Sequence, residues 1–133
     1  MDELTDHVRR VIGANRYMTL GSVDEVGHPW VSPVWFASED YRNFHWVSSP
    51  DAKHSRNLAA HPEVAIAIYD SSVPVGNGQA VYMKGVAKEL TGAELEQGLK
   101  IFDRVSQKGD RLHVGHGGRS GVGPIQALSR GCC

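Results

Sequence analysis

A charge surplus of either sign is missing from this 133-residue chain. Its 14 Lys and Arg stand against 15 Asp and Glu, for a formal net charge of −1. A basic excess on one face is the usual footprint of nucleic-acid binding, and nothing of the kind is encoded. Cysteine is almost absent: the only two, Cys132 and Cys133, are adjacent. Neighbours rarely pair with each other and no C-x-x-C spacing exists, so no disulfide framework is expected. No apolar run approaches the length of a membrane span. The acidic Met1-Asp2-Glu3-Leu4 start also lacks a signal peptide's apolar core. These absences lead to the expectation of a soluble, cytoplasmic domain in a reducing compartment, large enough for one core without staples.

Familiar catalytic signatures are missing too. There is no G-x-S-x-G, no Walker loop, and no G-x-G-x-x-G after a strand. The carboxylate pairs Asp24/Glu25 and Glu39/Asp40 fall in turns, where acidic residues are common anyway. His45, His54 and His61 lack metal-site spacing, and His113-x-x-His116 has no third ligand, so no metal is expected. No catalytic residue can be assigned.

What is present is a β pattern with helices around it. Leu4, Val8, Val11 and Ile12 recur at helical spacing, predicting a helix over 3–13. Tyr17 to Val23 and Pro29 to Ala37 read as a hairpin, with Gly27 at a left-handed turn position. In the second strand Trp30, Ser32, Val34 and Phe36 alternate with Val31, Pro33 and Trp35. Pro33 removes a ladder donor, so it predicts an edge, a bulge or a split in the sheet. Residues 44–49 form a third strand. Glu63 to Asp70 form a fourth, apolar on both faces and therefore expected to be central and buried. Gln79 to Leu90 form a fifth, with Gly85 a candidate bulge. Thr91 to Glu94 reads as a capping box opening a helix to about Gln107. From Lys108 the chain turns Gly-rich, with only a weak pattern around Ile125 to Leu128. The expected architecture is mainly β: a five-stranded antiparallel barrel over 1–110 with peripheral helices, followed by an irregular tail over 111–133.

One stretch carries chemistry. Ser48-Ser49-Pro50-Asp51-Ala52-Lys53-His54-Ser55-Arg56-Asn57-Leu58 leaves a strand, turns, and opens a short helix that stops before Pro62. First-turn N–H groups, the positive end of the dipole, Lys and Arg together suit an anion such as a phosphate. A capped, solvated surface helix would read much the same. Trp35, Trp46 and Tyr82 lie on the neighbouring strands, either as cofactor neighbours or as core and interface packing.

Residues 17–90 as a whole resemble the pyridoxamine 5′-phosphate oxidase-like, flavin-binding split-barrel family. The resemblance is carried by Met18-Thr19-Leu20, by Gly27-His28-Pro29-Trp30-Val31-Ser32-Pro33-Val34-Trp35-Phe36, and by Phe44-His45-Trp46-Val47-Ser48. It continues in Lys53-His54-Ser55-Arg56-Asn57-Leu58, His61-Pro62-Glu63-Val64-Ala65 and Val81-Tyr82-Met83-Lys84-Gly85-Val86-Ala87. It implies an FMN-binding split β-barrel, a homodimer with two flavin sites in clefts between subunits, and small-molecule redox chemistry on a non-covalent FMN. It further implies that Lys53, Ser55 and Arg56, with His54 and Asn57, hold the cofactor phosphate. Ser32, Pro33, Val34 and Trp35 would run along the isoalloxazine ring, with Ser48 and Ser49 near the ribityl chain or phosphate. Gln79 or Val81 would reach over from the neighbouring subunit.

Two alternatives share the resemblance. The deazaflavin factor 420 could use the same basic residues in a reductase. A non-catalytic flavin- or tetrapyrrole-binding protein could turn His45 or His54 towards its ligand. The Gly-rich segment after Arg111 departs from the family by lacking a final strand. The absence of a basic C-terminal signature speaks against vitamin B6 oxidation.

Overall fold

The computed structural model describes residues 3–106 and 125–130. In chain order the elements are α1 (Glu3–Ala14), β1 (Tyr17–Val23), β2 (Pro29–Ala37), β3 (Phe44–Val47), α2 (Lys53–Ala60), β4 (Glu63–Tyr69), β5 (Ala80–Glu89), α3 (Gly92–Ser106) and β6 (Ile125–Arg130). The strands close into an antiparallel barrel in the order β1-β2-β3-β6-β5-β4.

Closure depends on β6, which corrects the expectation of an irregular segment over 125–130. This strand pairs with β3 from Phe44↔Leu128 to Val47↔Ile125, and with β5 from Gly85↔Arg130 to Glu89↔Gln126. The supposed departure from the family pattern therefore disappears over these residues. The Gly-rich run before it, including His113 and His116, lies outside the described residues. The connection between β3 and β4 also differs from simple hairpin order. These strands do not pair, and α2 carries the chain across the barrel to lay β4 beside β1.

The alternation read in the strands sets the core. Met18 and Leu20 from β1, Val34 and Phe36 from β2, Phe44 and Trp46 from β3, and Val64, Ile66 and Ile68 from β4 meet inside. Each such side chain contributes about 1.5–3 kcal/mol relative to exposure. A second cluster forms where α3 covers the barrel: Phe102 packs with Ala37 and Leu90, and its ring meets Trp35 edge-on at 5.5 Å. The Glu94 carboxylate of the expected capping box is engaged with Lys88 Nζ instead.

The hairpin turn is built as expected. Gly27 sits at φ +94°, and the Asp24 carboxylate accepts from the Val26 and His28 N–H groups at 3.0 and 2.9 Å. Gly21 has a different cause, since a Cβ there would stand 3.3 Å from the Ala65 carbonyl oxygen of β4.

Only one face of β4 is buried, which corrects its expected two-sided burial. Val64, Ile66 and Ile68 point inward, whereas Ala65 is exposed and Tyr69 is 54% exposed. The register aligns Val31–Gly21–Ala65–Lys84 and Pro33–Thr19–Ala67–Tyr82 across the outside of β2, β1, β4 and β5. Small residues at the middle of this outer face leave it flat, with Val31 at 68% and Tyr82 at 73% exposure on its flanks.

Candidate functional site

The barrel has an opening in its ladder beside β2. This strand pairs with β1 along its length, but with β3 only through Phe36↔Trp46 and Ala37↔His45. Continuing that register would place Val47, Ser48 and Ser49 opposite Trp35, Val34 and Pro33. Instead the chain leaves the sheet: the Ala52 N–H donates to the Ser49 carbonyl at 3.1 Å, the Asp51 N–H donates to Ser49 Oγ at 3.2 Å, and α2 begins. The Phe36 N–H donates to the Arg16 carbonyl on the β1 side at 2.9 Å. Antiparallel alternation then turns the main-chain groups of Trp35, Pro33 and Val31 towards the opening. Pro33 sits there because an unladdered edge does not need its missing N–H.

At the other wall of this opening α2 starts without a side-chain cap. Its N-cap is Ala52, which offers no oxygen, and the first turn carries no acidic residue. The first-turn N–H groups and the positive dipole end thus have no capping carboxylate or hydroxyl. Lys53 and Arg56 are exposed and line a groove of about 340 Å³ with Asp24, Glu25, Val26 and Asn57. Lys53 Nζ stands 5.4 Å from the centre of the Trp30 ring. Asp24 is already engaged in its turn, and its carboxyl is held below the ordinary carboxylate value, chiefly by the His28 N–H.

The remaining residues of the stretch face inward. His54 is buried, burial lowers its pKa and keeps the ring neutral, and Nε2 shares a 2.7 Å hydrogen bond with Ser48 Oγ. His54 therefore positions the Ser48 hydroxyl and adds no charge for an anion. Asn57 Nδ2 donates to Ser22 Oγ at 3.1 Å, pinning α2 to the barrel end. Ser55 Oγ is buried without a partner and lines a separate cavity of about 70 Å³ with Leu58, Ala59, Ala87, Lys88 and Glu89. That space has room for a water, which would satisfy the hydroxyl.

The sequence-predicted site residues thus do not all fall in one place. Pro33, Trp35, Ser48 and Ser49 are placed about the ladder opening, and Lys53, Arg56 and Asn57 border the groove at the start of α2. Val34 belongs to the core, and Ser32 is half-buried in register with Leu20, on the barrel-facing side of the strand. Trp35 is half-buried against Phe102 and lines a cleft of about 510 Å³ between the end of α1, the end of β2 and α3. Gln79 lies apart from all of these, in a cleft of about 180 Å³ with Arg10, Asp70 and Asn77. Of the three aromatics singled out, Trp46 is wholly core and Tyr82 stands on the open outer face. Trp30 was not among them, although its place on the same strand face as Ser32 was legible. His45 is as buried as His54, with Nδ1 unpartnered. Among the described residues no helix is long and apolar enough to cross a membrane.

The sequence profile described as pyridoxamine 5′-phosphate oxidase matches residues 4–127. Among solved structures, a heme-binding protein from Mycobacterium smegmatis superposes with a TM-score of 0.76 at 22% identity, over 96% of this chain and 51% of that one. This chain therefore spans about half the length of that protein. A FAD-binding protein from Mesorhizobium loti superposes with a TM-score of 0.71 at 21% identity, over 99% of this chain and 91% of the other. A factor 420 reductase gives 0.66 at 20%, over 93% of each chain. At such identities the likeness to these structures is one of fold. No curated protein matches the sequence.

Proposed function

Because the chain belongs to the pyridoxamine 5′-phosphate oxidase family, we propose that it holds a phosphate-bearing flavin of the FMN type and works as a small-molecule oxidoreductase. The observation carrying this reading is the opening between the unladdered edge of β2 and the uncapped, basic start of α2. A planar heterocycle with polar edges suits a strand edge that offers main-chain groups, and a terminal phosphate suits free helix N–H groups beside two cations. The described residues fit such a cofactor. Lys53 and Arg56 would take the phosphate, Ser48, oriented by His54, would hydrogen-bond the polar chain, and Val31 to Trp35 would border the ring. When bound, a flavin or deazaflavin supplies the hydride or electron chemistry, and the protein supplies orientation and exclusion of water.

The proposal includes a homodimer. The flat outer face bearing Val31, Tyr69 and Tyr82 is the surface a second copy would cover, and the site would then lie in a cleft between subunits. In that arrangement Gln79, remote from α2 in its own chain, would be free to reach the partner's cofactor. The compartment proposed is the cytoplasm, from the lack of a disulfide framework.

Deazaflavin in place of FMN would use the same two cations. Haem is the third reading; it draws on the likeness to a heme-binding protein, with His45 and His54 both buried in the chain as described. Anaerobic reconstitution separates these readings. The protein should bind FMN or deazaflavin; a reduced nicotinamide donor (or reduced deazaflavin, where FMN is bound) should reduce and bleach the bound cofactor, and a small conjugated acceptor should then reoxidise it as it is itself reduced. A bound flavin that no donor reduces would remove the enzymatic part of the proposal. A Soret band on haemin addition with no flavin binding would replace the cofactor altogether.

A further inference from the structure

His45 is buried on the outer side of the barrel, away from the ladder opening. Phe44 and Trp46 turn into the core, so the imidazole between them points outwards. It is only 8% exposed, and its Nδ1 is sealed from water with no hydrogen-bond partner. A buried polar ring without partners calls for an explanation. Burial pushes its pKa down, against the Asp40 and Glu39 carboxylates and the Ala37 carbonyl, and keeps it neutral. Ala37 is the strand neighbour of His45, so the ring proton is assigned to Nδ1, on the main-chain side. The Nε2 lone pair then lies at the outer edge of the ring.

His45 lines a cavity of about 510 Å³ between α3, the end of β5 and the turn from β2 to β3. With Nδ1 sealed, the Nε2 edge is the one that meets this space. Leu90, Ala93 and Ile101 supply apolar walls, and Glu39, Asp40, Lys88 and Glu94 supply charge. Lys88 is paired with Glu94, and Glu39 with Arg104. Asp40 has no cation paired with it among the described residues. Burial works against its ionised form, but the Asn43 and Arg42 N–H donors hold its carboxyl below the ordinary carboxylate value. What remains over is one negative charge and one lone pair, beside an apolar wall. A carboxylate or phosphate ligand would be repelled there. Nor do the described residues bring together three metal-ligating side chains.

We propose that this cavity is a second ligand site, for a protonated organic amine carrying an apolar group. The ammonium donates to His45 Nε2 beside the Asp40 carboxylate, and the apolar group packs on Leu90, Ala93 and Ile101. The site shares no residue with the ladder opening and does not depend on the flavin reading.

The test is calorimetric titration of the full chain with phenethylamine, phenethyl alcohol and phenylacetate, three probes with one ring and different polar ends. The amine should bind about tenfold more tightly than the alcohol, and phenylacetate more weakly than either. In the wild type the amine should also shift the ring-nitrogen resonances of His45. His45→Phe keeps a ring but no lone pair, and should weaken the amine about tenfold. Asp40→Asn keeps an acceptor for the turn but no charge, and should bring amine and alcohol within about threefold of each other. Equal affinity for amine and phenylacetate overturns the site. So does binding that leaves the His45 resonances unmoved, a result that needs no variant to fold. Lys53→Ala/Arg56→Ala should bind the amine within about twofold of the wild type. A larger loss there would put the amine in the ladder opening and overturn the separate site.

Discussion

Lys53→Ala/Arg56→Ala removes the two side-chain cations at the start of α2 and leaves the rest of the groove in place. A charge-assisted hydrogen bond to phosphate is worth about 1.5–3 kcal/mol. Both side chains are exposed, so solvent and salt place each at the low end of that range. A loss of about 1.5 kcal/mol is slightly more than tenfold in affinity, and the pair together should weaken FMN binding by about a hundredfold. The fold should hardly notice. Lys53 gives up its contact with Trp30, worth about 0.5–1 kcal/mol at an exposed site, and the hydrogen bonds of His54 and Asn57 are untouched. The assay is flavin fluorescence at fixed ionic strength, with riboflavin as the control lacking a phosphate and circular dichroism as the check on folding. Riboflavin affinity should stay within about twofold, since the lost interactions are with phosphate alone. A well-folded double variant that binds FMN as tightly as the wild type refutes the cradle.

Two further outcomes follow from burial and from the open sheet face. His45 and His54 are held below the ordinary imidazole value, in each case mainly by burial. Below about pH 6.5 the unfolded chain binds protons at these rings that the folded chain does not. Stability should therefore rise with pH through this window and fall on acidification. Unfolding midpoints between pH 7.5 and 5.5 should show this slope, and His45→Gln/His54→Gln should flatten it; an unchanged slope in that variant would count against buried neutral histidines. Val31→Glu/Tyr82→Glu places two charges on the flat outer face, at positions 68% and 73% exposed in the single chain. Light scattering should find a dimer for the wild type and a folded monomer for the variant. A wild-type monomer, or a dimer that survives both charges, removes that face as the interface.

Local pattern reached much of this fold and stopped where pairing is distant. Strands β1 to β5 and all three helices were legible because period-2 or helical spacing coincides with turn chemistry at their ends, as at Gly27, although β3 stops at Val47, two residues short of its expected end. Pro33 was informative because a missing donor is a local fact with a sheet-wide consequence, and it lies where β2 loses β3. In contrast, Ile125 to Arg130 is short and follows a Gly-rich run, and what makes it a strand is pairing with β3 and β5 far away in sequence. The open outer side of β4 was misread for a related reason: Ala65, Ala67 and Tyr69 are apolar whether or not anything covers them. Within the site, Lys53 and Arg56 stand at the surface as a basic helix start suggests. The inward turn of His54, Ser55 and Asn57 was not legible from α2 alone. Ser22, a polar residue on the buried face of β1, was the available signal, because a hydroxyl there needs a partner and Asn57 supplies it.

The central claim is that a phosphate-bearing flavin is this protein's cofactor, and the most direct test is to identify what the protein retains on purification, by absorbance and mass. A flavin or deazaflavin carrying a phosphate, at about one per chain and released by the Lys53/Arg56 variant, is the predicted result. Haem in its place, or a bound molecule with no phosphate, would contradict it.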